Sequence, residues 1–138
     1  MRNATAGLFS PKKNAIRGTL AALRENRVVA VLIDQWAGSE GLWIDFMGSL
    51  TATTSLPSRL AAKTGCELVP AYCLRTGTGQ YEIQVLPAIS VSSEEKDWEK
   101  NVTQRLNENL GNYIRLYPEQ WSWGHRRWKA KPETSRQV

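Results

Sequence analysis

Asp34 and Gln35 end a continuous apolar run, Val28-Val29-Ala30-Val31-Leu32-Ile33. In open α/β sheets ligands bind outside the carboxyl ends of the strands, so an acid at that point is well placed for chemistry. It could orient a base, pair with a substrate-binding arginine or accept from a hydroxyl. The same aspartate could equally cap the loop that follows, a common use of the residue at turns. His125 is the one histidine and so the one conventional general base in the chain. Arg126 and Arg127 beside it repel the proton that a base must hold, which favours a structural or substrate-contacting ring. A single histidine also excludes any site that needs two within this chain. Cys66 and Cys73 have neither a disulfide framework nor metal-ligand spacing and read as small core residues, so no metal is expected.

Three further groups could touch a ligand. Gly41 and Gly48 precede the hydroxyl pair Thr53-Thr54 in a long loop-like stretch, where glycine would let backbone approach a ligand closely. The stretch Trp121-Ser122-Trp123-Gly124-His125-Arg126-Arg127-Trp128-Lys129 mixes tryptophan with cations. It could sit at a membrane interface, grip phosphate through arginine forks, or stack on bases. Its tryptophans could also pin the tail to the core. Nucleic acid is the weakest of these partners, because the stretch is short and carries no recognised nucleic-acid motif.

Charge follows the same division. Residues 1–27 hold six Lys/Arg and one acid, residues 28–120 seven and eleven, and residues 121–138 five and one. Basic ends around an acidic middle suit an anionic partner such as phospholipid headgroups or a phosphorylated substrate; solvated surface charge is the bland alternative.

The elements that must position these residues can be read from periodicity. Ser10-Pro11 is a helix start, followed by Ile16, Leu20 and Leu23 at helical spacing, with an end near Asn26. The apolar run 28–33, rich in β-branched residues, reads as a strand buried on both faces in a parallel sheet. Residues 36–54 read as loop around a short apolar piece, Leu42 to Phe46. Leu56 to Thr64 reads as helix with Gly65 as its C-cap. Leu68 to Leu74 and Tyr81 to Val85 read as a hairpin turned at Gly77-Thr78-Gly79. Ser92 and Glu95 have capping-box spacing before a helix carrying Trp98, Val102, Leu106, Leu110 and Tyr113, ended by Pro118. The order implies an α/β fold with a mixed sheet flanked by helices. At 138 residues with 41% hydrophobic and 22% charged residues, the chain has the size and composition of one globular domain. No apolar run approaches the roughly 20 residues of a membrane span, and Met1-Arg2-Asn3-Ala4-Thr5 has no apolar core of a secretory signal. A central parallel strand needs neighbours on both sides, and only two further convincing strands follow. The domain spanning 1–138, with its basic Trp-rich tail at 121–138, is therefore expected to be incomplete.

Taken in order, several segments carry a resemblance. They are the apolar run closed by Asp34-Gln35, then Gly41-Leu42-Trp43-Ile44-Asp45-Phe46-Met47-Gly48 and Ala52-Thr53-Thr54, then Leu60 to Pro70. Tyr81 to Pro87 and the closing stretch Tyr117 to Lys129 complete them. The chain resembles the C-terminal half of the bacterial lipid A biosynthesis lauroyl/myristoyl acyltransferases, within the lysophospholipid acyltransferase superfamily. The resemblance covers residues 2–132. It implies an enzyme of lipopolysaccharide biosynthesis, peripheral on the cytoplasmic face of the bacterial inner membrane. Such an enzyme moves a fatty acyl chain from acyl carrier protein to a hydroxyl of a lipid A precursor, with no cofactor. It further implies a His-x4-Asp/Glu pair in which histidine deprotonates the acceptor hydroxyl and the acid orients histidine. This sequence departs from that pattern, because the fifth residue after His125 is Ala130. The resemblance places the missing pair upstream and makes the chain inactive alone. Carried over residue by residue, it makes Asp34 a supporting catalytic acid. It makes Arg2, Gln35, Thr53, Arg126 and Arg127 substrate contacts, the last two toward phosphates or the core. The alternative is a non-catalytic module that binds anionic membrane surfaces.

Overall fold

The computed structural model describes residues 15–129. Helix α1 spans Ala15–Arg24, and Asn26 just beyond it takes a left-handed conformation that breaks the helix. The Ser10-Pro11 start lies outside the described residues. Strands β1 (Leu42–Phe46) and β2 (Ser49–Thr53) form one antiparallel hairpin, and β3 (Ala71–Gly77) and β4 (Gln80–Val85) form another. Helix α2 (Leu56–Thr64) closes on Gly65 as expected, and α3 (Trp98–Leu116) leads into a 3-10 turn at Pro118–Gln120. The fold class is α/β, with the strands divided between two small antiparallel sheets.

The stretch 36–54 is thus not the expected loop. Phe46 pairs with Ser49, so Met47-Gly48 is a two-residue turn. Their φ values of 56° and 87° are those of a type I′ turn, whose twist matches that of the flanking strands. Glycine takes the second position freely. Met47 accepts a conformation rare for its type while its side chain packs against the cluster of Phe46, Leu110 and Ile114. Gly41 stands where a side chain has no room: a Cβ there would lie 2.8 Å from Ala37 Cβ and 3.0 Å from Ala52 Cβ.

The expected central strand at 28–33 is a correction of greater weight. The run has no regular secondary structure, and Val28 and Leu32 are 72% and 70% exposed. A strand exists only with a hydrogen-bonded neighbour, and none of the described strands lies beside this run. Ile33 alone reaches both hydrophobic clusters, the second being Ile89, Val102 and Leu106. The Ser92/Glu95 pair also differs from expectation: it forms a backbone turn, and α3 starts six residues after Ser92, at Trp98.

Helix α3 is the spine of the core. Val102, Leu106, Leu110 and Ile114 bury one stripe against β1 and α2, and α1 packs on α2. Tyr113 falls outside that stripe and stacks on Tyr72 of β3, ring centres 4.2 Å apart. The Gln120 side-chain amide accepts from Arg75 N at 2.9 Å and donates to Arg75 O at 3.1 Å, tying the 3-10 turn to β3. Among the described residues no helix is long and apolar enough to cross a membrane.

Candidate active site

Asp34 follows directly on Ile33, so packing of one residue places the other. Its Oδ1 is buried and accepts no hydrogen bond from the described residues. Gln35 beside it is exposed. Arg127, near the far end of the chain, is fully buried. Arg127 Nη1 donates to Thr51 Oγ1 at 3.1 Å and to Ala52 O at 2.8 Å, and Nη2 donates to Thr53 Oγ1 at 2.7 Å. Thr51 returns the bond, donating from Oγ1 to Arg127 O at 2.6 Å. The guanidinium carbon lies 4.9 Å from the centre of the Phe46 ring, a favourable seat for a desolvated cation. Burial pulls the Arg127 guanidinium down to about 10, and the Asp34 charge opposes that pull.

Thr53 therefore stands where the sequence did not put it, and Arg127 is no surface contact. Thr53 is expected in an open loop within reach of a ligand. It lies inside β2, fully buried, its hydroxyl engaged by Arg127 and by Asn107. Of the two roles open to Arg127, phosphates or the core, it takes the core. Arg126 and His125 are exposed, as is Lys129, whose ammonium sits 4.0 Å over the Trp36 ring. The tail thus divides its work. Trp128 stacks on Phe46 at 5.3 Å and donates to its carbonyl, and Trp121 lies 6.0 Å from the same ring. Trp123 stays 57% exposed. Arg2 lies outside the described residues.

Asn107 is the residue that sequence reasoning missed. It is 1% exposed, and its Nδ2 donates to Asp45 O at 2.9 Å and to Thr53 Oγ1 at 3.1 Å, joining α3 to both strands of the first hairpin. One signal could have found it: Thr103 and Asn107 fall within the apolar stripe of α3, where a polar side chain must have partners. Ser58 and Thr103 repeat the device between α2 and α3, 3.0 Å apart. A cleft of about 260 Å³ beside the Met47 turn is walled by Asp45, Glu108 and Arg115 among others, and Asp34 is not among its lining residues.

The described residues place the half-buried acid Asp34 at the end of a partly exposed apolar run and bury the Arg127 cation against β2. Similar proteins give this arrangement a context. Phosphatidylinositol mannoside acyltransferases from two strains of Mycobacterium tuberculosis are 31% identical over 116 residues, which is 84% of this chain. The chain spans 35% of the length of those relatives. The family described as bacterial lipid A biosynthesis acyltransferase matches residues 1–130, and the chain, matched over nearly its whole length, belongs to that family.

Proposed function

We propose that this chain forms part of an enzyme that moves a fatty acyl chain from acyl carrier protein to a hydroxyl of a lipid A precursor. The observation that carries the reading is the family match over residues 1–130. The acyltransferase names of the Mycobacterium relatives support the same reaction class, with a mannoside as the acceptor in their names. In this reading a His-x4-Asp/Glu pair outside residues 1–138 deprotonates the acceptor hydroxyl; its oxygen attacks the acyl carbonyl directly, the bond from that carbonyl to the carrier protein breaks, and the carrier leaves, with no covalent enzyme intermediate. Asp34 supports the site from the end of the 28–33 run by facing the cationic or hydroxylic groups that assemble there. Gln35 and Arg126, both exposed, contact the substrate. The enzyme works at the cytoplasmic face of the inner membrane, with Trp123, Arg126 and Lys129 toward the headgroups.

Assay of acyl transfer from acyl carrier protein tests the reading. The 138-residue chain is expected to be inactive, since loss of a positioned base alone costs about 10²–10⁴-fold. The complete enzyme should acylate a lipid A precursor, and its Asp34→Asn variant should lose most of that turnover. Robust transfer by the chain alone, or a complete enzyme that prefers phosphatidylinositol mannoside, would overturn the respective part.

A second reading is a non-catalytic module on anionic membranes, favoured by the exposed Trp123 beside Arg126 and Lys129. Its mark would be vesicle binding in a complete protein that shows no transfer.

A further inference from the structure

We propose that the outer face of the second hairpin, β3 with β4, is a docking surface that seats on the headgroup layer of an anionic bilayer. The inference deepens the membrane placement proposed above and rests on it.

Residues directly opposite each other on paired strands share one face of the hairpin. Ala71 pairs with Val85, Cys73 with Ile83 and Arg75 with Tyr81, and all six are exposed. The other face carries Tyr72, stacked on Tyr113 of α3, and the buried Leu74. Its β4 members are Glu82 and Gln84, joined by a hydrogen bond of 3.2 Å. A sheet with one face on the core ordinarily turns its polar side chains to water. In β4 the order is inverted: the polar side chains lie on the inner face and the apolar ones on the outer, with Ile83 71% exposed. A contiguous apolar face of this kind marks a contact surface, and its chemistry identifies the partner. Arg75 is its one charged side chain and no carboxylate shares the face, which complements anionic headgroups. Tyr81 joins a polar tip to an apolar ring, a combination that favours the membrane interface. Trp123 extends the surface. Its indole N–H donates to Pro118 O at 2.7 Å, in the turn that Gln120 ties to Arg75, so an exposed tryptophan stands near the border of β3. Seating is shallow. None of the described strands pairs with the outer edge of β4, and unpaired backbone groups do not enter hydrocarbon.

The exposed free thiol of Cys73 lies on this face and supplies the probe. A polarity-sensitive fluorophore is attached there, with Cys66→Ser leaving Cys73 the one labelled thiol of the 138-residue chain. Its emission should shift to the blue on vesicles of phosphatidylglycerol and phosphatidylethanolamine, in this chain and in the complete enzyme. Ile83→Asp/Val85→Asp should keep the wild-type melting temperature, since both side chains are at least 65% exposed. It should weaken vesicle binding by about tenfold or more, because the face loses apolar area and gains repulsive charge. Asn101→Asp/Asn112→Asp adds the same charge at exposed positions of α3, on the inner side of the hairpin, and should weaken binding far less. Ile83→Leu should leave binding intact. Equal weakening by the two double variants, or a Cys73 fluorophore that stays in water on bound protein, would overturn the hairpin surface and leave the membrane placement standing. A Cys73 face already shielded in the lipid-free complete enzyme, by the rest of the protein or by a second copy, and unresponsive to vesicles would overturn it as well. Absence of binding to any vesicle would overturn the placement and the surface together.

Discussion

Burial acts on Tyr72 and Arg127 with opposite consequences above neutral pH. Burial, with a smaller push from Tyr113, raises the Tyr72 hydroxyl from 10.0 to about 12. Between those values the unfolded chain gives up this proton first, so stability contributed by neutral Tyr72 is present below pH 10 and is lost as pH climbs through about 12. Arg127 runs the other way: burial brings its folded pKa down to about 10, below that of the unfolded form, so its contribution rises as pH climbs above about 10. Tyr72→Phe keeps the ring stacked on Tyr113 and removes the first of these effects. Urea titrations of the variant should show less loss of stability between about pH 10 and 12 than the wild type. Residue type alone made Asp34 legible as a candidate, because an acid closing an apolar run stands out in any sequence. Thr53 and Arg127 were legible as important and misplaced in role. Whether a threonine or an arginine faces solvent depends on what packs over it, and here the cover comes from residues some 75 positions away.

At the scale of elements, α2 was legible to its last residue because proline near its start and Gly65 after its end mark both boundaries. The first hairpin was not, since five-residue strands around Met47-Gly48 lack the Asn-Gly or Asp-Gly signature of such turns. Composition read its glycines as loop, whereas Gly41 is there for space. Gly41→Ala would push a methyl onto Ala37, Ala52 and the Ala52 carbonyl carbon, 3.2 Å away. Since backbone must then shift, the expected cost is about 1–3 kcal/mol, measured by denaturant unfolding; an unchanged midpoint would mean that the hairpin tolerates displacement. In α3, Ile114→Ala should cost about 2–5 kcal/mol, because Ile114 is 1% exposed at the junction with Phe46 and the tail tryptophans.

For the molecule as a whole, the 28–33 run, beside none of the described strands, is the feature that periodicity could not resolve. Pattern reports that a segment is apolar; it does not report whether neighbours are present to bury it. The run leaves Val28 and Leu32 in solvent, and β4 adds Tyr81, Ile83 and Val85, each at least 65% exposed. Surface of this kind drives association. Leu32→Lys should therefore raise the concentration at which the chain stays monomeric in sedimentation, with little change in its melting temperature. A variant that associates as readily as the wild type would place the sticky surface elsewhere. The cationic ends make a separate expectation. Binding to anionic vesicles should weaken as salt rises, because charges farther apart than about 8 Å are screened at physiological ionic strength. Equal binding to neutral vesicles would leave the exposed Trp123 as the agent.

Gln120 gives the molecule a direction of growth. By occupying both the amide and the carbonyl of Arg75, its side chain imitates one residue of an adjacent strand and seals the outer border of β3 at that point. An incoming chain would find no free donor or acceptor there. The 28–33 run has no regular secondary structure and meets none of the described strands. Assembly by strand pairing is thus discouraged at this point of β3. Gln120→Ala would open that flank and give chains a place to join, which sedimentation would read as an association that the wild type lacks.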